Sequence, residues 1–385
     1  MSIRTREGES FELIAGGVTK HSNDEENVFY VKPQTSNTTK YLIGFLITFL
    51  VGIVLFQAFR KGEDDRSYMP LENAQSTCSK YNWEVYPERT RYRKIYDLFM
   101  VRSELDLLEI RLEELWDQVD YFVMLESGVT HTDRPKPLYV TENWNRFQRY
   151  HKKMILHVLD YNNTNFSSTW ARENFQRDAM YNQIFPYLTG PQKPNENDVL
   201  LISDLDEIPK AEVLEVLRNC VFPPILRLAS KMYYYSFQFL QNVNNEYWPH
   251  PQATFYAGDK TIRPQVIRDN GTDHNIPEIP NAGWHCSYCL DRLEDIVIKI
   301  GSSPHTEFDK PGFTDRAIIF HRAHNGLDLF NRSDVLFDRI IDNQDIPEYV
   351  KFNRKKFIYM LDRDPKDANF VDYRDSDSIY ENDKK

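Results

Sequence analysis

The stretch Val199-Leu200-Leu201-Ile202-Ser203-Asp204-Leu205-Asp206-Glu207-Ile208-Pro209 decides how this chain reads. Four apolar residues in a row predict a buried strand, and Pro209 ends it before a helix. Asp204, Asp206 and Glu207 then fall where the strand meets its loop. In open α/β sheets ligands bind at that edge. An Asp-x-Asp pair there suits a hard divalent cation, because two carboxylates supply oxygens and leave positions for phosphate and water. Acids in the first turn of a following helix would look the same, since they complement its dipole.

Upstream, the pattern is alternating strands and helices. Ile95 to Val101, Tyr121 to Leu125 and Lys153 to Leu159 read as strands. Leu105, Leu108, Leu112, Leu115 and Val119 give one apolar face to a helix over Glu104 to Val119. A second helix spans about Trp170 to Phe185. Ala171, Phe175 and Ala179 form its packing stripe, with Trp170, Glu173, Arg177 and Tyr181 opposite. Glu173 and Arg177 make either an ordinary i, i+4 ion pair or one wall of a site. Lys210 to Asn219 is a third helix. The order predicts an α/β fold with a largely parallel sheet. No glycine-rich phosphate loop follows the first strand, which runs into Arg102-Ser103-Glu104.

A net charge of −11 with no long basic run excludes generic nucleic-acid binding. Residues 1–40 are polar and read as a tail. Tyr41 to Phe59 is apolar on every side and about 28 Å long as a helix, enough to cross a bilayer core. Lys32 and Lys40 flank it on one side, Arg60, Lys61 and Arg66 on the other, so the charge rule leans weakly toward a cytosolic C-terminal part. Sequons at Asn162, Asn165, Asn270 and Asn331 lie beyond it, and one at Asn37 before it. Residues 60–93, rich in charge with Pro70 and Pro87, read as a stem. Residues 94–362 are the globular part, and 363–385 a charged tail.

After Pro223 the texture becomes aromatic and extended. Ile225 to Ala229 and Tyr233 to Leu240 are strand-like, Tyr256, Ile262 and Val266 suggest further extended segments, and Ala317 to Phe320 a short strand. Leu293 to Ile300 is a helix. Tyr233, Tyr234 and Tyr235 read as core. Cys286-x-x-Cys289 is a redox pair, half a zinc site or part of a disulfide framework: a thioredoxin-like start is absent, His285, His305, His321 and His324 are unevenly spaced for zinc, and in a lumenal setting disulfides, with Cys78 and Cys220 or with each other, are the default. His285 can ligate a metal, and Trp284 beside it offers a face for a sugar ring.

Several ordered pieces resemble glycosyltransferase family 17, the family of the β-1,4-mannosyl-glycoprotein 4-β-N-acetylglucosaminyltransferases. They are Tyr96-Asp97-Leu98-Phe99, Leu107-Leu108-Glu109-Ile110-Arg111-Leu112, Val119 to Ser127, Trp170 with Glu173 and Gln176-Arg177-Asp178, Ser203 to Pro209, and Ala282 to Cys289. The resemblance implies a GT-A-like nucleotide-sugar-binding fold and a single-pass type II Golgi protein, anchored through residues 41–59, with residues 94–362 lumenal. It implies transfer of N-acetylglucosamine from UDP-GlcNAc to a mannose of an N-glycan on a glycoprotein, β-1,4 and inverting. On that reading Asp204, Asp206 and His285 hold Mn²⁺ or Mg²⁺, while Arg177, Asp204 and Trp284 contact the donor. Glu207 and Glu126 are the candidate bases for the acceptor hydroxyl. The alternatives are a membrane-tethered carbohydrate-binding protein without catalysis and a haloacid-dehalogenase-type phosphatase.

Overall fold

Alternation along the first strand sets up the two faces of the central layer. In β1 (Ile95–Val101), Ile95, Phe99 and Val101 pack into one apolar cluster, and Tyr96, Leu98 and Met100 into another on the opposite face. A strand buried on both sides belongs in the middle of a helix-covered sheet. The computed structural model describes residues 67–242, 247–273 and 275–378.

The other strands are β2 (Tyr121–Glu126), β3 (Met154–Val158), β4 (Val199–Asp204), β5 (Glu207–Pro209), β6 (Leu226–Tyr234), β7 (Ser236–Gln241), β8 (Gln252–Phe255), β9 (Glu278–Ser287) and β10 (Phe337–Arg339). The helices used below are α1 (Leu71–Ser79), α2 (Leu105–Glu114), α3 (Thr169–Asn182), α4 (Ala211–Asn219), α5 (Pro264–Asn270), α6 (Leu293–Ser302) and α7 (Arg316–Asn325). Strands β3, β2, β1 and β4 lie side by side in that order, all parallel. The chain moves outward from β1 through β2 to β3, then returns to β1's other edge as β4. The order reverses between β1 and β4, and the crevice beyond their carboxyl ends is where this topology places a ligand.

The sheet is mixed, not largely parallel. Beyond β4 it continues through β8, β6, β7 and β10 in antiparallel pairs. β9 lies parallel to β6 and antiparallel to β5. The reason is local: Tyr235 alone separates β6 from β7, and a hairpin can only be antiparallel. Two predicted extended segments are helical. Ala317 to Phe320 lies in α7, whose first amides are capped by Asp315 (2.9 and 3.2 Å). Val266 lies in α5, which opens on Pro264.

Both ends of the folded body extend past the expected limits. Within the predicted stem, α1 is tied to the end of α4 by the disulfide Cys78–Cys220, and Val85 bridges Cys220. Within the predicted tail, Arg363 is buried and donates to the carbonyls of Tyr235, Leu290 and Ala368. Asp372 and Asp377 pair with Arg316 at 2.9 Å each. Cys286 and Cys289 form the second disulfide, so all four cysteines are oxidised, as their framework reading required. Tyr233, Tyr234 and Tyr235 are core. The Tyr41–Phe59 run lies outside the described residues; among those described, no helix is long and apolar enough to cross a membrane.

Candidate active site

A cleft of about 530 Å³ opens outside the carboxyl ends of β1 and β4. Asp204 ends β4, Asp206 follows in the turn, and Glu207 starts β5. This turn is held from beneath by one arginine. Arg111, on α2 and wholly buried, pairs with Asp97 of β1 at 2.6 and 2.8 Å. It also donates to Ser203 Oγ (2.5 Å) and to the carbonyls of Asp204, Leu205 and Glu207 (3.2, 3.3 and 2.7 Å). Arg111→Met fills similar volume but strands the Asp97 carboxylate and three carbonyls. It should cost about 3–5 kcal/mol in urea unfolding, with Asp97→Asn in the same chain recovering part of the loss. A loss below about 1 kcal/mol would contradict this account.

Arginines hold Asp204. Its Oδ1 accepts from Arg177 of α3 (2.9 Å) and its Oδ2 from Arg268 of α5 (3.0 Å). Arg177 also pairs with Glu173 one turn earlier (2.7 Å), so the i, i+4 pair is part of the cleft wall. Burial opposes ionisation of Asp204, but Arg177 and Arg268 outweigh it and keep the carboxyl well below the usual range.

Asp206 has different neighbours. Its Oδ2 is 2.8 Å from Lys299 of α6 and 3.6 Å from His285 Nε2. Burial again works against the charge, and Lys299 and His285 overcome it. Pairing of β5 with β9 sets Glu207 opposite His285 and so brings the imidazole to the acidic turn. That close pairing needs Gly283, because a Cβ there would stand 2.5 Å from the Ile208 carbonyl oxygen.

Glu207 is saturated. Oε1 accepts from Arg268 (2.7 Å) and Trp248 Nε1 (2.8 Å); Oε2 accepts from Arg268 (2.7 Å) and the Asp204 amide (2.8 Å). Four donors leave no lone pair for a proton, so the expected role as base is corrected to positioning Arg268. Glu126 is also corrected. Its carboxylate caps the short helix Tyr139–Glu142, accepting from the Val140 amide (2.7 Å) and from the amide and hydroxyl of Thr141 (3.1 and 2.8 Å). Trp284 does not face the cleft. Neighbours on a strand point to opposite faces, and with His285 turned to Asp206 the indole hydrogen-bonds Asp345 at 3.0 Å.

Lining the cleft are six carboxylates (Glu104, Glu173, Asp204, Asp206, Glu207, Asp269) and four cationic heads (Arg102, Arg177, Arg268, Lys299). The excess of two negative charges suits a divalent cation. Among the described residues no group of three or more His, Cys, Asp or Glu side chains forms a metal cage. Asp206 and His285 still offer two donors at one point, and Mg²⁺-type ions take one or two carboxylates and leave the remaining positions to phosphate and water. The residues therefore fit a substrate-completed ion; in this structure Asp204 is paired with Arg177 and Arg268, and Asp206 with Lys299 and His285. Arg268, Lys299, Trp248 and Asp269 had no sequence signal of their own.

In an α/β sheet the crevice at the switch point is where ligands bind, and here it carries the charged side chains. The chain belongs to glycosyltransferase family 17, whose profile matches residues 66–364. It is 25% identical over 303 residues to the human β-1,4-mannosyl-glycoprotein 4-β-N-acetylglucosaminyltransferase, covering 70% of this chain and 55% of that protein. The rat protein of the same name is 24% identical over 310 residues, covering 71% and 56%. The chain thus spans about half the length of the curated relatives it matches. A solved mannosyltransferase from Pyrobaculum calidifontis, in complex with GDP-Man and Mn²⁺, aligns over 60% of this chain and 67% of its own. Its TM-score of 0.30 and identity of 11% carry no argument.

Proposed function

We propose that this protein transfers N-acetylglucosamine from UDP-GlcNAc to a mannose of an N-glycan, forming a β-1,4 bond with inversion. The observation that carries the reading is the cleft itself, with Asp206, His285, Arg268 and Lys299 gathered at the switch point of the β3-β2-β1-β4 sheet. Mn²⁺ or Mg²⁺ held by Asp206 and His285 would supply positive charge to a departing diphosphate. Arg177, Arg268 and Lys299 are placed to hold that diphosphate, and each is oriented by a carboxylate rather than left mobile. Inversion needs one base near the acceptor. Asp269 sits exposed on the rim of the cleft with one bond from Gln265 Nε2 (2.7 Å), so its carboxylate remains open to an incoming hydroxyl.

The phosphatase alternative needs Asp204 or Asp206 as a free nucleophile. Asp204 is pinned by two guanidiniums, which argues against it. The assay is full-length protein with UDP-GlcNAc and a biantennary N-glycan, read by mass spectrometry. A gain of one N-acetylhexosamine per glycan supports transfer. Glycan binding without any gain would favour the non-catalytic carbohydrate-binding reading.

A Golgi-lumenal catalytic part, anchored by residues 41–59, belongs to the same proposal. The exposure of Asn162, Asn165, Asn270 and Asn331 supports it, since each sequon is open to modification. Glycosidase treatment of protein from cells should lower the apparent mass. Digestion of the large C-terminal part by protease outside sealed microsomes would contradict the topology.

A further inference from the structure

On the side of His285 the cleft adjoins a smaller cavity of about 270 Å³. The two share Trp248, His285, Ser303 and His305. The chemistry changes at that border. The cleft is lined by ionised heads, whereas the smaller cavity is walled by the rings of Tyr234, Trp248, Tyr288, Phe308 and Phe330. Histidines aside, its charged groups are Glu307 and Arg332, of opposite sign and both exposed.

The rings hold one another in place. Phe308, in the turn Thr306–Phe308 after α6, stacks on Phe330 with centroids 3.9 Å apart. Tyr288 meets Phe330 and Tyr234 edge-on, at 6.0 and 5.5 Å. Tyr234 and Phe330 belong to the apolar cluster behind the cavity, and Tyr288 and Phe308 pack against it half-buried. Trp248 donates its Nε1–H to Glu207 and lies against His285 at 4.6 Å. On the cleft side His305 meets Phe308 at 5.7 Å and the edge of Trp170 at 4.6 Å. Trp170 stands in the first turn of α3, lines the cleft and is 46% exposed. An aromatic run therefore leads from the cleft, through Trp170 and His305, to Phe308 and Phe330, and its members at the border meet solvent rather than core.

Such walls suit a sugar. Aromatic faces take the C–H side of a pyranose ring, and a few polar groups at the rim meet its hydroxyls. A diphosphate gains little here, because Arg332 is already paired with Asp328 at 2.7 Å. Four ring systems in succession offer faces for more than one sugar, and a nucleotide-sugar brings only one. Transfer also needs its second substrate beside the first. We propose that this aromatic cavity is the acceptor subsite, taking a neutral sugar ring of the oligosaccharide against Trp248, Tyr288 and Phe308, with Trp170 and His305 carrying the neighbouring ring at the cleft. The inference rests on the reading of the adjoining cleft as the donor site.

Calorimetry on the full-length protein with UDP, UDP-GlcNAc and a biantennary N-glycan tests it. Wild type should bind the glycan in the presence of saturating UDP. Trp170→Ala and Phe308→Leu should each weaken glycan binding by about tenfold, with UDP and UDP-GlcNAc affinity unchanged. Leucine at position 308 keeps an apolar side chain on Phe330 and removes the ring face, which guards against a misfolded variant. Trp170→Phe, which restores a ring, should recover part of the loss. Unchanged glycan affinity in both Trp170→Ala and Phe308→Leu would overturn the subsite, with the donor cleft intact. Weakened UDP-GlcNAc binding in Phe308→Leu, with glycan binding unchanged, would place the donor's own sugar there and overturn it too. Wild type that binds UDP but no glycan would overturn the acceptor subsite alone. Wild type that does not bind UDP would overturn the donor-site reading itself.

Discussion

Asp206→Asn should lower turnover of UDP-GlcNAc by about 10²–10³, equivalent to about 3–4 kcal/mol of transition-state stabilisation. The carboxylate lies between Lys299 and His285, so it is the acid best placed to hold a cation against a diphosphate. Asparagine keeps the shape and can still accept from Lys299, which retains its pair with Glu104, so the variant should fold, with an unfolding midpoint lowered by the lost ion pair. Asp204→Asn should act differently. It loosens Arg177 and Arg268, raising the donor KM more than it lowers kcat. The contrast separates a cation site from an ordinary acidic turn, in which either asparagine would be nearly silent. Near-normal turnover and Mn²⁺ dependence in Asp206→Asn would end the metal-site account of this stretch.

The second large effect falls on the rim. Asp269→Asn should lower kcat by about 10²–10⁴, the range of a lost general base, while the KM for UDP-GlcNAc moves little. Elimination leads here. Glu126 is consumed by the amides of a short helix, Glu207 by four donors, and Glu104 and Glu173 are buried beside Lys299 and Arg177. Asp269 alone of the cleft carboxylates is well exposed. A merely structural Asp269, acting through Gln265, would raise KM through Arg177 and leave kcat nearly intact, because Gln265 also contacts Arg177 at 3.2 Å. Retained kcat in Asp269→Asn would place the base elsewhere.

Where the sequence carried a period, the fold could be read from it. β1, β2, β4 and α2 to α4 each have enough apolar repeats to declare their type, and β4 declared its acidic end. The antiparallel half did not. β5 has three residues and β8 four, too few to show a period, and no local signal says which neighbour a strand will pair with. The cleft's cations failed for a related reason. Arg268 and Lys299 come from helices 64 and 93 residues beyond the acids they meet. In sequence each is an ordinary basic residue on an amphipathic helix.

Glu126 and Trp284 show the converse error. A glutamate at a strand's carboxyl end looks alike whether it enters a site or caps the next helix, and the amide of Val140, 14 residues on, decides it. Trp284 and His285 are adjacent on one strand, so only one of them can face Asp206. Which one depends on the β5–β9 register, and the sequence does not state that.

On the proposed function the cleft beyond β1 and β4 is the donor site. A structure of the full-length protein loaded with UDP and Mn²⁺ tests it most directly. The expected result is the diphosphate beside Asp206, His285 and Arg268. Nucleotide bound away from Asp206 and Arg268 would contradict it.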